Sequence, residues 1–338
     1  MMNSRERVIA ALTFNKPDRT PRDLWTLPYI SLFRTDELEV LLDKYPMDIE
    51  IINADPEQAQ ADEKATAQAG AYTDPWGSVW HVAEPGVIGE VRIPILEDWS
   101  DLATFSPPWN VLSGRDLSHV KRARETSDKF LLSDISARPF ERLQFLRGTE
   151  NLFIDLGYGK SELYQLLEMV HEFYLEDIRG WCESDVDGIF MMDDWGSNQQ
   201  LLINPTMWRE IFKPLYKEYC DMIHAAGKYA FFHSDGNISA IYGDLIEAGF
   251  DAINSQLFVM DIEELGRQYQ GQVTFWGEID RQHVLPFGSP EEVHAAVMRV
   301  RHALDDESGG VIAQCEWGKD NSQENIETVF KTWLTPLK

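Results

Sequence analysis

Cysteine is scarce in this chain. Cys182, Cys220 and Cys315 are the three present. An odd number so widely spaced builds neither a disulfide framework nor a compact Cys/His metal knuckle, which suits a reducing cytosol. Basic residues are also short, with 30 Lys and Arg against 57 Asp and Glu and a net charge of −27. Such a chain repels nucleic acid and anionic membranes. Its expected partners are neutral or basic, although the same charge also serves plain solubility. No apolar run is long enough to span a bilayer, and the first residues lead into a short amphipathic helix rather than a signal peptide. Neither a Walker nor a dinucleotide glycine loop occurs, nor a Gly-x-Ser-x-Gly elbow, nor a basic aromatic stripe.

What is present is a core: 43% of the 338 residues are hydrophobic and 12% aromatic. Apolar runs of strand character cover 22–26, 48–53, 129–135, 186–192, 228–232, 252–254, 273–276 and 310–314. Helical patterns lie between most of them. They include Pro139–Arg147 with proline in its first turn, Ser161–Glu183, Asn204–Ala226, and a helix opened by the capping-box pattern Ser289-Pro-Glu-Glu292. Eight strands alternating with helices predict an α/β fold, a (β/α)8 TIM barrel, as one domain over residues 1–338. Residues 72–93 alternate around Gly and Pro and read as a β-hairpin inserted near the barrel mouth. Residues 56–70 are polar and read as a surface excursion.

In such a barrel the residues just past each strand share one mouth. They are Trp25, Asn53, Asp134 with Arg138, Asp193 with Asp194, His233 with Asp235, Gln256, Glu278 with Asp280, and Cys315 with Glu316. His233, Asp235 and Cys315 are residue types that bind zinc. Each also has a plainer reading: a satisfied strand-end histidine, a turn residue before Gly236, a small buried hydrophobe. Adjacent side chains after a strand point different ways, so one of Asp193 and Asp194 is expected in the pocket. Glu278 and Asp280, two apart, suit proton transfer if extended. Arg138 can hold a carboxylate or pair with Asp134. Trp76, Trp80, Trp195 and Trp276 either line a pocket or pack.

These segments resemble the uroporphyrinogen decarboxylase-like superfamily over nearly the whole length. The resemblance rests on Ser4-Arg-Glu-Arg-Val-Ile-Ala-Ala-Leu12 with Lys16-Pro-Asp-Arg-Thr-Pro21, Asp74-Pro-Trp-Gly77, Asp193-Asp-Trp-Gly196, Ile203-Asn-Pro205 with Phe212-Lys-Pro214, Phe232-His-Ser-Asp-Gly-Asn-Ile238, and Gly277-Glu-Ile-Asp280 with His283-Val-Leu-Pro286. More narrowly the chain looks like the corrinoid-dependent methyltransferase branch. That likeness implies a zinc ion held by a His-x-Cys pair and a later cysteine. Here His233 and Cys315 match and Asp235 replaces the first cysteine, which favours substrate demethylation over thiol activation. It further implies a corrinoid supplied by a partner protein, a small methoxylated or N-methylated donor, and a homodimer. Expected roles follow: Asp193, Glu278 and Asp280 in proton transfer; Trp25, Arg138, Asp194, Trp195, Gln256 and Trp276 around the substrate; His233, Asp235 and Cys315 on the metal. The alternatives are a decarboxylase anchored by Arg138 and a non-catalytic small-molecule binding protein. The arginine-rich start that grips porphyrinogen carboxylates is missing at Pro21-Arg-Asp-Leu-Trp25.

Overall fold

The computed structural model describes residues 1–337, apart from the side chains of Asp62 and Glu63. Eight parallel strands form a nearly closed barrel with helices around it. They are β1 (Arg22–Thr26), β2 (Ile49–Ile52), β6 (Phe130–Ala137), β7 (Gly188–Met192), β8 (Tyr229–Ser234), β9 (Ala252–Ser255), β10 (Thr274–Trp276) and β11 (Val311–Trp317). Their order is β1-β11-β10-β9-β8-β7-β6-β2. The fold is the expected TIM barrel, and both short N-terminal strands are present.

Side chains alternate between two faces of a strand, and the alternation sorts the core into two layers. Inside the barrel lie Ile49, Phe130, Leu132, Phe190, Phe231, Ala252, Trp276 and Ile312. The helix Ser4–Leu12, opened by an Asn3/Glu6 capping box, pushes Val8 and Leu12 up into this layer from the N-terminal end. The opposite faces, including Met191, Phe232, Ile253, Phe275, Ala313 and Cys315, pack under the surrounding helices.

The edges of the sheet meet between β1 and β2, where no ladder forms. An ion cluster holds this seam. Asp48 is fully buried and accepts from Arg7 Nη1 at 2.5 Å, Arg19 Nη1 at 2.7 Å and the Arg22 amide at 2.8 Å. Its own amide donates to the Arg22 carbonyl at 2.9 Å.

The expected hairpin is a three-stranded antiparallel sheet, β3 (Gly70–Thr73), β4 (Val79–Val82) and β5 (Glu90–Ile93). The polar stretch before it forms a helix, Pro56–Thr66, with no apolar stripe to announce it. Short helices at Trp109–Ser113, Ser118–Thr126 and Thr149–Tyr158 add to those expected from the sequence. Among the described residues no helix is long and apolar enough to cross a membrane.

Removing one partner of a buried ion cluster strands the others, at a cost of about 3–5 kcal/mol. Asp48→Ala is therefore expected to lose about that much stability in urea unfolding. Lys217→Ala breaks the pair with Asp221, whose members are both more than half exposed. It should cost less than about 1 kcal/mol. Equal losses for the two variants would refute the seam's role.

Candidate active site

The C-terminal mouth is built on an aromatic floor. Trp25 and Trp276 meet edge to face with centroids 5.1 Å apart, and Phe190 lies 5.6 and 5.3 Å from them. Asp23, buried beneath, accepts both indole N–H groups, at 3.0 Å from Trp25 and 2.8 Å from Trp276. Burial pushes the Asp23 carboxyl up to about 6, although these donors oppose it.

His233 stands on this floor, 5.0 Å from the Trp25 ring. Its tautomer follows from its neighbours. Asn254 Nδ2 donates to the Trp276 carbonyl at 2.5 Å, so Asn254 Oδ1 faces His233 Nδ1, at 2.6 Å. An amide oxygen only accepts, so Nδ1 carries the hydrogen and Nε2 is presented to the mouth. Nε2 lies 3.4 Å from Asp235 Oδ1 and 3.6 Å from Asp194 Oδ1. Burial alone would depress the imidazole, but the two carboxylates outweigh it and raise His233 to about 9. This corner therefore calls for a positive charge, whether a proton or a metal.

The two loops bearing these carboxylates are locked to each other by one side-chain and one backbone acceptor. The Asp235 amide donates to Asp194 Oδ1 at 2.8 Å, and the Gly196 amide to the Asp235 carbonyl at 3.1 Å. Gly236 has φ +78°, and a Cβ there would sit 2.1 Å from the Gly196 carbonyl oxygen. No side chain fits between them.

Arg281 closes the opposite wall. It contacts Asp235 Oδ2, Glu278 Oε1 at 3.2 Å and Glu316 Oε1 at 3.0 Å. Burial tends to raise Asp235, but His233 and Arg281 hold it down at about 2. Burial pushes Glu278 up to about 8 despite Arg281, so it holds a proton at neutral pH. Glu278, Asp280, Arg281 and Gln256 line a cavity of about 130 Å³. Gln256 Oε1 accepts from the Gly236 amide at 3.0 Å, and Asp280 Oδ1 accepts from the amides of Gln282 and His283 at 2.9 Å.

The neighbouring aspartates diverge, as adjacent positions must. Asp194 joins His233. Asp193 is fully buried and accepts from the Phe140 amide at 3.0 Å, the Glu141 amide at 2.7 Å and Tyr216 Oη at 2.5 Å. It secures the start of helix Pro139–Arg147 rather than facing the cavity. Trp195 also turns away, stacked on Phe140 at 4.0 Å and donating to Tyr216. Cys315 is not brought to His233. On β11, Gln314 and Glu316 take the inward positions, whereas Cys315 packs fully buried in the outer layer. Among the described residues, the group whose ligand atoms lie within 4.8 Å of one another is Asp194, His233 and Asp235.

A second, larger cavity of about 930 Å³ opens between the small antiparallel sheet and the barrel. Trp76, Trp80, Phe173, Tyr174, Asp134, Arg138 and Arg142 line it. Arg138 Nη2 contacts Met192 Sδ at 3.0 Å, and Met192 is the register partner of His233 on the adjacent strand. The smaller cavity adjoins the His233 group through Arg281, which contacts Asp235, and the larger through Arg138, which contacts Met192 beside His233.

Asn254, Arg281, Glu141 and Asp23 were not singled out from sequence. Arg281 had a signal, lying three residues after Glu278. The pairing of Asn254 with His233 had none, because it depends on strand register.

Fold and site together define a barrel with a histidine–carboxylate centre at its C-terminal mouth, the end where TIM barrels do their chemistry. The model of the uroporphyrinogen decarboxylase (URO-D) family matches residues 86–333, and the chain belongs to that family. A methyltransferase from Methanosarcina mazei shares the fold, with a TM-score of 0.72 and 14% identity over 98% of each chain. A glycosylated endo-β-1,4-xylanase from Gloeophyllum trabeum aligns with a TM-score of 0.47 and 9% identity, over 97% of this chain and 99% of the other. Comparison with curated protein sequences gives no match.

The pH response of Asp23 can be separated from the rest. Its folded-state value of about 6 exceeds the ordinary 3.8. Its stabilising contribution is therefore complete below about pH 4 and is lost as pH rises through 6. Asp23→Asn keeps an acceptor for the indoles and cannot ionise. Its stability relative to wild type should rise by on the order of 2 kcal/mol between pH 4 and 7 in urea unfolding. A pH-independent difference would contradict this reading.

Proposed function

We propose that the protein is an enzyme that moves a methyl group from a small methoxylated or N-methylated compound to a corrinoid carried by a partner protein. The carrying observation is the Asp194–His233–Asp235 group at the barrel mouth, tied through Arg281 to the wall of a cavity. The shared fold with the Methanosarcina mazei methyltransferase and the URO-D family membership support it.

The residues present fit a divalent metal such as zinc. His233 offers Nε2 with Nδ1 anchored by Asn254, the usual support for a metal-bound histidine. Asp235 Oδ1 is buried and makes no hydrogen bond. The N/O/O donor set is harder than one containing thiolates, so it suits polarising an oxygen or nitrogen better than activating a thiol. A metal held there would supply Lewis acidity to the leaving atom, and the corrinoid the nucleophile that accepts the methyl group. In this reading the chain does the rest. Glu278 donates its proton to the departing alkoxide or amine as the carbon–heteroatom bond breaks and the electron pair stays on the heteroatom. Arg281 holds Asp235 and Glu278 in place. Asp193 orients helix Pro139–Arg147, and the aromatic floor excludes water below the centre.

Porphyrinogen decarboxylation fits less well. Arg7 and Arg19, the cationic groups flanking β1, bind Asp48 at the opposite end of the barrel. At the mouth Arg281, Arg142 and Arg115 are already paired with carboxylates. Of the arginines lining the large cavity only Arg138 has no hydrogen-bonded carboxylate, and a single cation does not hold a polycarboxylate.

Incubation with a reduced corrinoid protein and a panel of methoxyarenes and methylamines tests the reaction, with cobalt methylation followed by absorbance. No spectral change with any donor would overturn it. Metal analysis tests the centre. Wild type should bind about one equivalent. His233→Ala and Asp235→Ala should lose it, and Cys315→Ser should keep it.

A further inference from the structure

We propose that the large cavity selects a substrate carrying a carboxylate, and that Arg138 is its anchor. This inference deepens the reading above: it names the donor as a planar, aromatic acid bearing the transferable methyl group.

Three arginines line the cavity, and two are spent. Arg115 Nη1 binds Asp177 at 2.6 Å, and its Nη2 donates to the Asp177 carbonyl at 3.0 Å. Arg142 Nη1 binds Asp74 at 3.1 Å, its Nε reaches Tyr174 Oη at 3.3 Å, and its guanidinium covers the Trp76 ring at 4.6 Å. Arg138 is different. Its one hydrogen bond goes to a thioether, Met192 Sδ, a weak acceptor. The nearest carboxylate oxygen, Glu141 Oε2, is 3.9 Å from Nε, is buried and makes no hydrogen bond. Asp193 faces the same region but is taken up by two amides and Tyr216. Asp194 is engaged by the Asp235 amide.

A guanidinium has five N–H donors, and leaving them unmatched in a largely buried position is costly. Arg138 is only one-fifth exposed, and what exposure it has faces the cavity. A carboxylate on a ligand would accept two of these donors in the fork geometry that guanidinium favours. The other acid on this wall, Asp134, takes the Ala54 amide at 2.7 Å, and burial raises it to about 7. It therefore carries at most a partial negative charge against an incoming anion.

The remaining walls set the shape. Trp80, half-buried, presents ring surface to the cavity, and the nearly buried Trp76, Phe173 and Tyr174 back the wall behind it. The anchor lies close to the reacting centre, because Arg138 touches Met192 and Met192 is beside His233 in the β7–β8 ladder. Neighbouring strands are about 5 Å apart. A ligand one aromatic ring long spans that distance with its carboxylate on Arg138 and its methylated atom toward His233.

Calorimetric binding to the metal-loaded protein tests the proposal with three ring-matched ligands: 4-methoxybenzoate, its neutral analogue 4-methoxybenzyl alcohol, and the cationic 4-methoxybenzylamine. The acid should bind most tightly. Arg138→Met should weaken it by about 10- to 100-fold, the value of one charge-assisted contact, while leaving the alcohol within about twofold. Arg138→Lys should recover part of the loss. Equal weakening of acid and alcohol would mean Arg138 serves packing only and would overturn the proposal, as would preferred binding of the amine. Unmethylated benzoate separates the two readings, because it cannot donate a methyl group. If it binds through Arg138 while no donor methylates cobalt, the methyl-transfer reading fails and the anchor stands. If neutral donors turn over as fast as the acid in both wild type and Arg138→Met, the anchor fails and methyl transfer stands.

Discussion

A strand has only two faces, and this one constraint organises the protein. Each barrel strand must send alternate residues inward and outward. Inward positions fill the barrel with rings as far as the Trp25–Phe190–Trp276 layer. The next inward positions above that layer are therefore where polar groups can gather, and His233, Asn254 and Glu316 occupy them. Because neighbouring strands are held in register, the Asn254–His233 hydrogen bond is a consequence of β8 pairing with β9. The loops above are then fixed by the Gly196–Gly236 backbone contact, which brings Asp194 and Asp235 to the same nitrogen.

Charge is distributed on the same plan. The chain is strongly acidic, yet the mouth is balanced by a few cations in defined places. Arg281 gathers Asp235, Glu278 and Glu316, while His233 lies between Asp194 and Asp235. Where a cation is close, as at Asp235, the carboxylate stays ionised. Where burial dominates, as at Glu278, Glu141 and Asp23, the proton is retained toward neutral pH. One mouth thereby holds both ionised ligands and a proton donor, the division of labour that acid-assisted group transfer requires.

Much of the fold was legible without the structure. The eight strands showed as apolar runs bounded by Gly, Pro and helical periods, and those periods survive in the three-dimensional packing. The small sheet was partly legible, but Gly70–Thr73 has too little apolar character to read as its third strand. Among the described side chains of helix Pro56–Thr66 none is buried, in keeping with the absence of a periodic trace in its sequence. At the site, the convergence of His233, Asp235 and Glu278 on one mouth followed from strand ends alone. The roles of their neighbours did not. Asp193 and Asp194 are chemically identical and adjacent, and only the position of helix Pro139–Arg147 decides which one is consumed as its cap.

Sequence alone determined the alternation of strands and helices, the acidic balance, and the residue types collected at the strand ends. These are local properties, written in spacing and composition. Tertiary structure decided which of those residues meet. It placed Cys315 in the outer layer, because the strand period put Gln314 and Glu316 inward on either side of it. It added Asn254, whose partner His233 lies on the next strand, and joined Arg281 to Asp235 and Glu316 on other elements. It also left Arg138, alone among the three arginines lining the large cavity, without a carboxylate in hydrogen-bonding reach. Pairing of charges across elements depends on register and loop contact, and neither is a property of any single stretch of chain.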